Sequence, residues 1–477
     1  MTVLDAVVVG SGPNGLSAAL TLARAGLTVQ VIEGAQTPGG GCRTAELTLP
    51  GFHHDVCSAV HPLAAASPFF AGTDLAERGA ELLTPKVAFA HPLDGGRAAA
   101  ATGSVDETAG ELGADAAAYR KLMRPLVQHA DAIVPAVLAL HRQIPADPRA
   151  VAGFGLRGLL PASVLARRFR TPEARAMLAG VAAHSVQPLS APLTGGFGLL
   201  LMMLAHSPGW PVVAGGSQRI TDALTAELIS LGGEVLTGSW IRRLEELPPA
   251  TAILLDVAPR EAAALAGDRL PARYVRALRR FRYGPGACKV DWALSGPVPW
   301  EAQACRDTAT VHLGGTFAEI ARSEADVAAG RHPSRPYCIV AQPSVIDPAR
   351  APAGQHTLWG YCHVPPGSTV DMTDRIEAQI ERFAPGFRDL ILARSVRTAA
   401  DLERYNPNYV GGDVNSGMGT LRQTLLRPTT AWNTYRTPAK GIYLCSSSTP
   451  PGGGVHGMCG VWAARTALAD LGVTAWR

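Results

Sequence analysis

The stretch "VVVGSGPNGLSAALTLARAGLTVQVIEG", residues 7–34, limits the fold of this chain more than any other segment. Gly10, Gly12 and Gly15 follow the apolar run Leu4 to Val9 and precede Leu16, Ala19, Leu20 and Ala23, which recur at helical spacing. A second apolar, β-branched run, Leu27 to Ile32, ends at Glu33. The pattern is strand, helix, strand with an acid at its tip. Gly10 allows a tight turn, Gly12 lets the backbone approach a pyrophosphate, and Gly15 lets helix and strand pack closely. The helix start at Pro13 and Asn14 then offers free N–H groups and positive dipole character to phosphate. Glu33 can accept hydrogen bonds from both ribose hydroxyls and would repel a 2′-phosphate. FAD or NAD fits this unit and NADP does not. The same glycine spacing recurs at Gly153, Gly155 and Gly158 and at Gly452, Gly454 and Gly457. The first copy follows no strand, and the second has too little chain after it for another βαβ unit. One dinucleotide site is therefore expected, and a separate stable NAD site is not.

The 477 residues suit two domains with a large shared core. Hydrophobic residues make up 47% of the chain and charged ones 17%, as in an ordered, core-rich protein. A formal charge of +4, with no Lys/Arg run interleaved with aromatics, gives no reason to expect a nucleic-acid partner. The longest apolar stretch, Gly195 to Ala205, falls well short of the roughly 20 residues that span a bilayer. A soluble protein is expected, with peripheral contact to a membrane surface left open. The eight cysteines show no CxxC pair and no metal-ligand spacing, so reduced thiols in a cytoplasm are the default and no metal site is expected.

Residues 34–62 read as a loop and hairpin. Helical patterns dominate from about Asp106 to Gly195, including residues 116–144. Residues 211–238 return to a glycine turn, an amphipathic helix and a strand, and "TAILLDVAP" supplies another buried strand. From Lys289 to about Thr420 strand-like pieces surround a helix, Thr373 to Phe383, and the chain closes with a strand, a Pro/Gly-rich loop and a helix. The fold class expected is α/β: a Rossmann-type domain plus a second α+β domain with a mixed sheet and a helical insert.

Four stretches in this order, the fingerprint with Glu33, Pro211-x-x-x-Gly215-Gly216 with Leu224, "ILLDVAP" and "LCSSSTPPGGGVHGM", resemble the FAD-dependent phytoene desaturase-like branch of the amine oxidase superfamily. The resemblance extends to flavoproteins described as pyridine nucleotide-disulphide oxidoreductase domain proteins. It implies FAD as cofactor and a discontinuous FAD-binding domain, 1–75, 208–285 and 425–477, with 76–207 and 286–424 binding substrate. It also implies cofactor contacts from Val235 and from Gly453, Gly454, Val455 and His456, where the last helix begins beneath the flavin. N–H groups at such a helix start would stabilise charge on the reduced ring. The family's second fingerprint is Gly-Gly-Arg. Gly39 and Gly40 fit it, Gly41 stands where the arginine belongs, and Arg43 comes two residues late, as either a phosphate contact or a solvated arginine.

For the chemistry, "GACKVDWAL" resembles the amine oxidase strand whose lysine holds a water against the flavin, and the matching residue is Lys289. The alternative is an edge-strand lysine facing solvent. Asp55, Cys57 and His61 lie where relatives pass close to the flavin ring, and His61 is either a general base or a hydrogen-bonded structural histidine. The resulting expectation is an FAD-dependent oxidoreductase that desaturates, saturates or isomerises a carbon–carbon bond in an apolar, isoprenoid or polyketide-like molecule. Amine oxidation is the alternative chemistry, though Ser446, Ser447 and Ser448 stand where one half of an aromatic cage would be. A non-catalytic flavin-binding protein is the other alternative. The sequence leaves substrate, direction, electron acceptor and oligomeric state open.

Overall fold

The computed structural model describes residues 3–139 and 144–473. Positions 140–143 of the expected helical stretch, and 1–2 and 474–477 of the expected cofactor domain, lie outside the described residues.

Strand Leu4–Val9, helix Pro13–Arg24 and strand Val29–Ile32 form the fingerprint unit. Two of its glycines are required for separate reasons. Gly10 has φ of +99°, and a Cβ there would lie 2.8 Å from the Asp256 carbonyl oxygen. At Gly15 a Cβ would lie 2.1 Å from the Gly10 carbonyl oxygen, so only glycine lets the helix approach the strand. These strands belong to a five-stranded parallel sheet in the order Ile442–Leu444, Ala250–Leu255, Leu4–Val9, Val29–Ile32, Glu234–Leu236. Helices cover it, which is why its central strands read as nearly unbroken apolar runs.

The second sheet has seven strands: Ile391–Arg397, Gly286–Leu294, His356–Val364, Cys338–Ala341, Thr310–Leu313, Val87–Leu93 and Arg97–Thr102. It is antiparallel except where Val311 pairs with Ala90. One face, with Cys288, Val290, Trp292, Val340, Leu358 and Cys362, packs into a core with helix Thr373–Phe383. The other face carries a row of ladder partners, Lys289, Tyr361, Ile339 and His312, toward the helical layer.

That layer includes helices Pro148–Gly158, Pro172–Ala182 and Thr194–His206. The second glycine triplet, Gly153 to Gly158, lies inside the first of these helices. Its physical use is close helix packing: a Cβ at Gly196 would lie 2.7 Å from the Gly158 carbonyl oxygen. The final helix, Met458–Asp470, packs against helix Pro13–Arg24 so closely that a Cβ at Gly460 would lie 1.9 Å from the Asn14 carbonyl oxygen. Among the described residues no helix is long and apolar enough to cross a membrane.

Candidate active site

A cavity of about 940 Å³ runs through the centre of the chain. At one end it is lined by Pro13 and Asn14 of the fingerprint helix, Gly41, Ser447, and Gly453 to His456. Its middle is floored by Ala287, Lys289, Ile339, Trp359 and Tyr361 of the seven-stranded sheet. Its far wall is apolar and helical, with Phe154, Leu159, Phe197, Leu200 and Leu201. No aspartate or glutamate among the described residues lines it.

The fingerprint end is built to receive an anion. Gly12 is extended (φ −66°, ψ 172°) and caps the helix without a side-chain hydrogen bond, leaving N–H groups at the helix start open. One is taken: the Gly15 amide donates to Asp256 Oδ2 at 2.8 Å. Burial pushes the Asp256 carboxyl up to about 7, so the cradle's floor titrates near neutrality. Gly40 crosses over Gly12, and a Cβ there would lie 2.9 Å from the Gly12 Cα. The Asn14 Nδ2 donates to Ser447 at 3.0 Å, while its Oδ1 is buried without a partner.

Glu33 is held in place at the end of its strand. Its Oε2 accepts from the Ser11 amide and hydroxyl at 2.9 and 2.6 Å, and its Oε1 from the Ala35 amide at 2.8 Å. Arg43 is buried and directed at this acid. Its Nη2 lies 2.8 Å from the Thr37 carbonyl and 3.4 Å from Glu33 Oε1, and its Nη1 lies 3.4 Å from the Tyr405 hydroxyl. It is not the solvated arginine of the second sequence alternative; it is buried and braces Glu33. The arginine missing from position 41 also has a physical counterpart. A Cβ on Gly41 would already lie 3.0 Å from the Tyr409 hydroxyl, which takes up that space. Val235 pairs with Val31 at the outer strand of the sheet, half-buried beside the fingerprint strands.

Lys289 lies on a strand flanked on both sides, by His356–Val364 and Ile391–Arg397, so it is not an edge lysine. It is 3% exposed, faces the cavity, and forms a direct ion pair with Asp291. Burial draws the ammonium down and pushes the Asp291 carboxyl up, and the attraction between the two opposes both shifts. The Lys289 Nζ lies 5.7 Å from the Trp359 ring centre, and Trp359 meets Tyr361 edge to face at 5.2 Å and 80°.

His61 lines the cavity, but its hydrogen bonds hold it as part of the framework. The Ser217 hydroxyl donates to the Ser58 carbonyl at 2.5 Å, so the 2.8 Å contact from His61 Nε2 must be a donation to Ser217. The unprotonated Nδ1 is buried without a partner, and burial lowers the imidazole to about 4, which leaves a weak base at neutral pH. Asp55 is not among the cavity-lining residues. Its oxygens are taken by Arg350 at 2.7 Å, Thr44 at 2.8 Å and the Ser217 amide at 2.8 Å, which leaves it a structural anchor rather than a group facing substrate. Cys57 does line the cavity.

In the C-terminal loop, His456 Nδ1 accepts from the Met458 amide at 3.0 Å, and its Nε2 therefore donates to the Gly452 carbonyl at 3.1 Å. One amide at the start of the last helix is thus already satisfied from within the loop. Gly453 and Gly454 present backbone to the cavity.

Two cavity residues were not legible in the sequence. Arg427 is buried with Nε and Nη2 unpartnered, and room for its guanidinium comes from Gly417 and Gly452, where a Cβ would lie 2.6 and 2.3 Å from it. His184 follows helix Pro172–Ala182 in a short turn. A single arginine before a proline and a single histidine in the short turn after an alanine-rich helix carry no motif. Only the tertiary contacts mark them.

Residues 8–70 match the family model described as an NAD(P)-binding Rossmann-like domain. Along almost its whole length the chain is similar to the mouse pyridine nucleotide-disulfide oxidoreductase domain-containing protein 2, at 26% identity over 98% of this chain and 94% of that one. It is also similar to one of the limonene dehydrogenase subunits, from Castellaniella defragrans, at 23% identity over 99% and 96%. A solved structure of a putrescine oxidase triple mutant, made in a redesign of cofactor binding, shares the fold with a TM-score of 0.62 at 18% identity, over 98% of this chain and 99% of that one. The chain thus shares the fold of that putrescine oxidase structure and carries an N-terminal Rossmann-like unit that opens onto one large cavity.

Proposed function

We propose that this chain is an FAD-dependent oxidoreductase that desaturates, saturates or isomerises a carbon–carbon bond of an apolar, isoprenoid or polyketide-like molecule. The observation that carries this is the course of the cavity, which leads from the anion-binding fingerprint to an apolar helical wall and has no aspartate or glutamate along it among the described residues. The residues present fit FAD: an open helix start, glycines where backbone must come close, and Glu33 placed at the strand tip for a ribose. On this reading 1–75, 208–285 and 425–477 hold the cofactor, and 76–207 and 286–424 hold substrate. Bound FAD would supply the two-electron acceptor that no side chain provides.

The chain's own residues then have separable tasks. Glu33 and the helix start bind the adenosine and phosphate end. Gly453 to His456 bring the last helix to the cavity. Lys289, kept by Asp291 in a buried pair, is the group able to hold a proton or a water beside a reacting carbon. The helical wall excludes water. The name of the Castellaniella relative, a dehydrogenase of the hydrocarbon limonene, supports an apolar substrate.

Amine oxidation is the second reading, favoured by the shared architecture with putrescine oxidase and by the Trp359–Tyr361 pair. The lack of a carboxylate in the lining weighs against it, because the distal ammonium of a diamine would be desolvated beside Lys289 and Arg427 with no anion to meet it.

The test is anaerobic mixing of the purified, FAD-loaded protein with terpenoid hydrocarbons and, separately, with amines, following flavin absorbance. Bleaching by the first set alone supports the proposal. Bleaching by amines alone overturns it, and a protein that never takes up FAD removes its basis.

A further inference from the structure

His184 lines the cavity, and its Nε2 lies 2.8 Å from His312 Nε2, with the rings perpendicular at 89°. His312 is fully buried on strand Thr310–Leu313 and is enclosed by Phe89, Trp210 and Tyr337, with ring centres at 5.2, 5.7 and 6.4 Å. Its Nδ1 has no partner. Gly180 makes room for it, since a Cβ there would lie 2.9 Å from the His312 Cβ. Just past His184, Val186 has φ of +52°, a left-handed conformation that a β-branched residue adopts only under constraint, so the turn is held firmly.

Proton bookkeeping fixes what this pair presents. Burial holds His184 down at about 3 and His312 well below its ordinary value, so both rings are neutral and each carries one N–H. If His184 donated to His312, the His312 proton would sit on Nδ1 as a buried N–H among aromatic rings. If His312 donates, only a lone pair is left unmatched there, which is the smaller cost because buried orphan N–H groups are the rarer case. His312 therefore donates, and His184, which lines the cavity, carries its proton on Nδ1, the ring nitrogen that His312 does not engage.

The sheet register shows where this donor stands. Lys289 pairs with Tyr361, Tyr361 with Ile339 and Ile339 with His312. The two polar stations are three strands apart on one face, roughly 14 Å at the usual strand spacing. Between them lie Tyr361 and Ile339, and opposite them the apolar helical wall.

We propose that His184, oriented by His312, recognises a carbonyl oxygen on an otherwise apolar substrate, some three strand widths from Lys289. The inference rests on the reading of this cavity as the substrate site. A neutral donor at the end of an apolar channel suits a ketone, aldehyde or ester oxygen, which accepts one hydrogen bond and carries no charge into the channel. His184 is the recognition residue and His312 the positioning residue.

The test uses the purified cofactor-loaded protein and two probes of matched length, a long-chain methyl ketone and its parent alkane. Binding is followed through quenching of the cavity tryptophans, and the carbonyl stretch of the bound ketone by infrared difference spectroscopy. The ketone should bind about fivefold more tightly than the alkane, the worth of one net hydrogen bond, and its stretch should move to lower frequency. His184→Phe should abolish both the preference and the shift while leaving alkane affinity in place. His312→Phe should weaken the shift without a comparable loss of alkane binding, and His184→Gln should restore part of it. Equal binding of the two probes to the native protein, or an unshifted carbonyl, overturns the inference and leaves the cavity reading intact. Failure of both probes to bind overturns the cavity reading as well. The native-protein measurements decide the matter even if a variant does not fold.

Discussion

The Gly15 amide donates to Asp256 Oδ2 at 2.8 Å, so a buried carboxyl from one strand caps the helix start from the adjoining strand's loop. Burial raises this carboxyl to about 7, with the nearby Glu33 charge adding to the effect. An acid whose folded value lies above its unfolded value of about 3.9 favours the native state below that value, and the benefit is lost as pH rises through about 7. Asp256→Asn keeps an acceptor for Gly15 without the charge. Its stability relative to the native protein should rise between pH 4 and 8 by about 3–4 kcal/mol. FAD affinity of the native protein should fall above pH 7 while that of the variant stays level. Thermal unfolding and flavin fluorescence titrations across this range check both, and parallel pH profiles would count against the assignment.

Removing the charge of Lys289 alone should be costly, because it takes away the ammonium paired directly with the buried Asp291 carboxyl. Lys289→Met is expected to lose about 3–5 kcal/mol of stability. Lys289→Met combined with Asp291→Asn should recover most of it, as read by chemical denaturation. Substrate-driven flavin reduction in the stable double variant should remain at least about 10-fold slower than in the native protein, equivalent to about 1.4 kcal/mol.

Glu33→Ala removes the acid that the proposed ribose would meet, and also the anchor for the Ser11 and Ala35 amides. FAD affinity should fall at least about 10-fold, since hydrogen bonds to a charged partner are worth about 1.5–3 kcal/mol each. Equilibrium dialysis measures this, and an unchanged Kd would place the adenosine elsewhere.

Gly460→Ala should separate the first and last helices, because the added methyl would meet the Asn14 backbone at 1.9 Å. Neither side of that contact is a flexible side-chain tip. A loss of about 3 kcal/mol or more is expected, together with reduced FAD retention. A variant that keeps native stability and flavin content would show that the helix pair tolerates displacement.

What could be read from the sequence was local. Gly10 to Glu33 has strand, helix and acid within one short segment, so periodicity and glycine placement were enough to place them. Lys289 could be suspected, but its partner could not be ranked: Asp291 is two residues away on the same face only once the segment is known to be a strand. The solvated alternative for Arg43 fails because Glu33, which it braces, becomes its neighbour only when the loop folds back. His61 has a titration range that invites a catalytic role, and only burial against Ser217 removes it. His184 and His312 are 128 positions apart, and their pairing depends on a helix laid across a sheet. Long-range geometry of that kind leaves no spacing pattern.

The tight seam between Gly460 and Asn14 also has a consequence for biosynthesis. The fingerprint strand leaves the ribosome well before its neighbour Ala250–Leu255, and longer still before the helix that clasps it, Met458–Asp470. At about 5–20 residues per second, the nascent N-terminal segment waits roughly 20–90 s for its final neighbour. During that interval its apolar strand lacks part of its native cover, so productive maturation depends on keeping this segment from self-association until that helix has been made.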